Sequence, residues 1–116
     1  MFIASNIYYI FQGDTSPIWN SRIKIGEDII VMDPTWECKL QVKKNIDQDE
    51  TPLIDKTIAY DASTNSFPCV LEPSETAILE PGDYYVFIEI SNLAHVPPIR
   101  KERHLLLKVK KQGVHN

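Results

Sequence analysis

The chain has 116 residues and a mass of 13.3 kDa, room for one domain and one core but not for two. Apolar residues make up 43% and charged residues 24%, proportions that exclude an intrinsically disordered chain. A net charge of −4 and a pI near 5.3 argue against a general nucleic-acid binder.

The opening stretch, MFIASNIYYIFQG, is apolar but carries no Lys or Arg before Arg22 and no small-residue cleavage site. It is read as a first strand over Ile7–Phe11, not as a secretory signal. The purely apolar runs, Ile29-Ile30-Val31-Met32 among them, reach five residues at most, far short of the roughly 20 of a membrane-spanning helix, so no membrane partner is expected. A second strand of mixed pattern is expected over Ile18–Ile25. It contains Trp19, which suits a core or a surface position equally.

The third strand is the clearest. Trp36, Cys38, Leu40 and Val42 alternate with Glu37, Lys39, Gln41 and Lys43, a period of two that puts the apolar four on one face. Trp36 is expected in the core. Leu53–Ala59 and Phe67–Leu71 are weaker strand candidates. Ser74–Leu79 follows Pro73 and stops before Pro81-Gly82, which suits one helical turn. Tyr84, Val86, Ile88 and Ile90 then repeat the alternation, as do Leu105, Leu107 and Val109. By parity Tyr84 faces the core and Tyr85 does not.

Eight prolines punctuate the chain, and turn signals fall at GDTSP, DPT, DETP, DASTN, EPGD and HVPP. About seven short strands so spaced predict an all-β fold, a single immunoglobulin-like β-sandwich occupying residues 1–116. Its core would run from about 7 to 110, before a short basic tail at 111–116. Cys38 and Cys69 are expected to be reduced and buried.

No motif carries catalysis. There is no GxSxG elbow, no HExxH, and with four glycines no phosphate-cradling loop. His95, His104 and His115 fall in a loop, a strand and the tail. Asp47, Asp49, Glu50 and Asp61 lack calcium-loop spacing and are read as solvated loop charge. No enzyme activity, catalytic residue, cofactor or metal is expected.

Charge is nonetheless uneven. Residues 45–99 hold ten acids and the single Lys56, whereas residues 100–116 hold six bases and one acid. If the strands at 36–44, 84–90 and 104–110 are neighbours, their outward residues form one face. That face gathers Tyr85, Phe87 and Leu106 with His104, ringed by Lys39, Lys43, Lys108 and Lys110. Apolar residues inside a polar rim mark a protein interface. The partner would present acids, as the acid-rich middle of a second copy does, unless the first strand or the tail covers the face.

Several segments resemble one family in their order. They are Gly13-Asp14-Thr15-Ser16-Pro17-Ile18, Trp36 through Lys44, Cys69-Val70-Leu71-Glu72-Pro73-Ser74-Glu75-Thr76, and Leu79-Glu80-Pro81-Gly82-Asp83-Tyr84. Together they look like the immunoglobulin-like domains of tailed-phage baseplate and tail-fibre-associated proteins, similar to the N-terminal domain of baseplate upper proteins. Leu79, Pro81 and Tyr85 also fit the places of a fibronectin-type tyrosine corner. The family commonly has a glycine before its last strand, where this chain has Arg100-Lys101-Glu102-Arg103. Its domain often heads a longer receptor-binding protein, and this chain stops.

The resemblance implies a non-enzymatic virion component made in the bacterial cytoplasm. It would contact other tail, baseplate or fibre subunits, or itself, as an adaptor. The alternative is a carbohydrate- or host-surface-binding module using Trp19, Asn20 and Arg22.

Overall fold

A computed structural model describes residues 6–45 and 50–111. Asp47, Asp49 and His115, and the tail beyond residue 111, lie outside the described residues. The chain is all-β, with one short helix. In order come β1 (Asn6–Phe11), β2 (Trp19–Ser21), β3 (Lys24–Ile25), β4 (Asp28–Ile29), β5 (Glu37–Lys43), β6 (Ile54–Ile58), β7 (Phe67–Cys69), α1 (Pro73–Thr76), β8 (Gly82–Asn92) and β9 (Ile99–Lys110).

Five strands make the main sheet in the order β1-β9-β8-β5-β6, antiparallel except where β1 runs parallel to β9. The three strongly alternating segments of the sequence are therefore its centre. A two-stranded sheet, β2-β7, lies across it, and β3-β4 forms a separate short ribbon. The core lies between the two sheets. Cys38, Leu40, Val42, Val86, Ile88, Leu105 and Leu107 meet Trp19, Phe67, Cys69 and Leu71, all buried. Apolar burial of this kind supplies about 25 cal/mol per Å² removed from water.

Where the elements differ from expectation, the reasons are local. The segment read as one strand over Ile18–Ile25 divides into β2 and β3, because Arg22 and Ile23 leave the pairing and the chain turns back at Gly26, at φ +62°. The helical turn falls on Pro73–Thr76 instead of 74–79. Pro73 opens it, and Glu72 and Glu75 close a reciprocal capping box.

β9 begins at Ile99, six residues before its apolar alternation starts at Leu105. Its first half pairs with the far half of β8, at an open end of the core. Lys101 and Arg103 therefore need not be apolar. They line an open cavity of about 250 Å³ beside Ser21, Arg22 and Ile88.

The corner into β8 is held by Tyr84. Its ring is 4% exposed, and its hydroxyl donates to the Glu80 carbonyl at 2.6 Å. Burial, with the Glu80 carboxylate nearby, raises its pKa above the ordinary tyrosine value. The core-facing tyrosine and the corner tyrosine are thus the same residue. Tyr85, which the motif spacing fits to the corner, is half-buried on the other face.

Candidate interaction face on the main sheet

The outer face of the main sheet follows from parity and register. β9 pairs Leu106 with Tyr85 of β8 on one side and with Ile7 of β1 on the other, and Tyr85 in turn pairs with Lys43 of β5. Ile7, Leu106, Tyr85 and Lys43 thus form one row across four strands. The neighbouring row on one side joins His104, Phe87 and Gln41, with the Phe87 and His104 rings edge-on at 4.9 Å. On the other side, Tyr9, Lys108 and Asp83 form a third row, and Phe11 lies beside Lys110.

Tyr85, Phe87, His104 and Leu106 are therefore brought together, each half-buried. The residues that sequence reasoning missed are on β1. Ile7, Tyr9 and Phe11 point outward and are 53%, 61% and 44% exposed. The first strand does not fold over the face; it extends it. The missed signal was in plain sight, because Asn6–Phe11 is apolar at both parities. Tyr8 and Ile10 supply the inner face, and nothing at the odd positions is polar.

The four lysines behave differently from one another. Lys39 is exposed, and Lys110 is exposed with its ammonium 5.5 Å from the centre of the Tyr9 ring. Lys43 is buried, not a solvated rim residue. Its stem lies against the outward rings, with Nζ 5.5 Å from the centre of Phe87, so its methylenes belong to the apolar surface. Lys108 is held by Asp83 at 3.2 Å, so the chain's own acid-rich middle already satisfies it. Lys39 and Lys110 are thus the exposed lysines of the rim, Lys39 standing across the ladder from Glu89. On the same face, a shallow depression of about 380 Å³ is lined by Gln41, Lys43, Phe87, Glu89, Arg100, Glu102 and His104.

The two edges of the sheet differ in kind. β6 carries Asp55 and Lys56, and Lys56 is tied to Glu75 of α1 at 2.9 Å and to the Val70 carbonyl at 2.9 Å. β1 carries no charge at all. Edge strands that stay solitary usually bear charges, prolines or a cover, and β1 has none of these among the described residues.

The other candidate rings fall elsewhere. Trp19 is 3% exposed, with Tyr8 edge-on at 5.4 Å, so the ring assigned to sugar stacking beside Asn20 and Arg22 is part of the core. His95 packs near Trp36 in the β8–β9 loop, whereas His104 lies in the middle of the β8–β9 ladder. Among the described residues, no group of three or more His, Cys, Asp or Glu side chains could hold a metal ion. Among the same described residues, no helix is long and apolar enough to cross a membrane. Neither a comparison with protein-family models nor one with curated proteins gives a match.

Proposed function

We propose that the protein is a non-enzymatic, immunoglobulin-like adaptor of a phage or prophage tail, baseplate or fibre assembly, and that it docks through the outer face of its main sheet. The observation that carries the docking mode is the exposed apolar row Ile7, Tyr9 and Phe11 on an uncharged edge strand, continuous with Leu106, Tyr85 and Phe87. Such a patch with a polar rim is what a protein partner buries.

The class of assembly rests on the family resemblance of the GDTSP, Trp36–Lys44 and LEPGDY segments. Two structural features support the sandwich reading. The strand order places β1 parallel to the last strand, and a tyrosine at the start of the penultimate strand closes the corner. The partner is another tail subunit that presents carboxylates to Lys39 and Lys110 around an apolar centre.

The test is co-sedimentation of the chain with purified tail structures, comparing the native protein with Tyr9→Ser/Phe11→Ser. Both side chains are exposed, so the variant keeps its circular dichroism spectrum. Loss of co-sedimentation with the fold intact supports the reading. Undiminished co-sedimentation overturns it.

A further inference from the structure

The two cysteines sit on opposite layers and meet in the middle. Cys38 comes from β5 of the main sheet and Cys69 from β7 of the small one, and both have 0% exposure. Their Sγ atoms are 3.6 Å apart, and both are free thiols. A bond would need the sulfurs to close to about 2.05 Å. Among the described residues no hydrogen bond of the strand ladders joins these two sheets, so a bond here would cross-link them directly.

We propose that Cys38 and Cys69 form a modification site, a thiol pair that oxidises to a disulfide stapling the two sheets when the protein meets a small-molecule disulfide such as oxidised glutathione. The surroundings set the order of events. Cys69 accepts a hydrogen bond from the Cys38 thiol, which lowers its pKa. Against the cost of burial, the Ser21 hydroxyl and the charges of Arg103 and Lys56 lower it further. The same contact with Cys69, then burial, pushes the Cys38 thiol up. Once the sheets part, the Cys38 contact is lost, but Ser21 stays beside Cys69 on its own small sheet and still favours Cys69 as the first thiolate.

It attacks one sulfur of the small disulfide, whose S–S bond breaks and releases one thiolate. Cys38 then gives up its proton and attacks Cys69 Sγ, forming the cross-sheet bond and releasing the second thiolate. In sum, two protein thiols are oxidised and one small disulfide is reduced to two thiols.

Full burial means the first attack takes place in a chain whose sheets are apart. β2 and β7 pair over only three residues each, whereas β5 is held over seven by β8, so the small sheet is the part that lifts. When it closes again, the core has no room for a bound glutathione, which drives the second step. Joining positions 31 residues apart constrains the unfolded chain, and the oxidised form should melt roughly 10 °C higher.

The test is to unfold the protein, refold it in oxidised glutathione, and follow intact mass, free thiols and melting. The expected product is a monomer lighter by two hydrogens, without a glutathione adduct, with both thiols lost together and the melting rise reversed by dithiothreitol. Cys38→Ala should show no such rise under the same treatment. Two free thiols after refolding, a stable glutathione adduct, a disulfide-linked dimer, or an equal rise in Cys38→Ala would each overturn the proposal.

Discussion

Replacing Tyr84 with Phe isolates one hydrogen bond at the corner that aims β8 into the centre of the sheet. The ring remains, so its burial is unchanged; the hydroxyl that donates to the Glu80 carbonyl at 2.6 Å is lost. Glu80 itself is exposed, and water can reach the carbonyl that is left behind. The cost therefore falls near the usual net value of about 1 kcal/mol, without the full penalty of a buried orphan. For a chain of this size that is a fall of roughly 4 °C in Tm at pH 7.

The effect has a pH signature. The folded-state pKa of Tyr84 is raised by burial and by the Glu80 carboxylate, so the phenol stays protonated in the folded chain after it ionises in the unfolded one. Its contribution is complete below the unfolded value near 10 and is lost as pH rises through the folded value. Paired thermal melts of the native protein and Tyr84→Phe at pH 7 and at about pH 11 should show the gap closing, with Tyr9→Phe indistinguishable from native at pH 7. Equal melting of Tyr84→Phe and native protein at pH 7, or a gap that widens in alkali, would refute the corner as described.

Glu75 offers the opposite sign. Burial would raise its pKa, but the Glu72 backbone N–H and the Lys56 ammonium outweigh that and hold it below the usual carboxylate range. Its contribution is present above the unfolded value and lost as pH falls through the folded one. Glu75→Gln should thus cost about 1 kcal/mol at pH 7 and much less near pH 3 in denaturant titrations. Gly82 has φ +151°, and an added Cβ would meet Lys44 Nζ at 2.7 Å; Gly82→Ala should cost about 1–3 kcal/mol by chemical denaturation, chiefly through backbone strain. Leu40 is fully buried at the centre of β5, and Leu40→Ala should cost about 2–5 kcal/mol; a loss under 1 kcal/mol would mean that β5 is not central.

The legible part of the fold was the part with strict alternation. β5, β8 and the second half of β9 each bury one face completely, and a slip of one residue would expose it, so parity fixed both the pairing and the side that Tyr84 takes. The place of β1 was not legible, because its partner lies about a hundred residues away in sequence. A strand apolar on both faces also gives no hint of which side is covered.

The first half of β9 was hidden for another reason. Arg100–Arg103 reads as a charged turn until the length of β8 opposite it is known. The outward set Tyr85, Phe87 and Leu106 could be read from parity, but the burial of Lys43 and the pairing of Lys108 with Asp83 could not. Both depend on which neighbour stands across the ladder.

The account turns on the outer face of the main sheet, and photo-crosslinking addresses it at the resolution of single positions. A benzophenone amino acid would replace Tyr9, at the centre of the proposed contact. In a second protein it would replace Val31, which is 83% exposed just after the β3-β4 ribbon, where Ile25 and Ile29 are also exposed. Each protein would be irradiated with purified tail structures. The account predicts a discrete adduct to one tail subunit from position 9 and none from position 31; an adduct from position 31 alone, or no difference between the two, would contradict it.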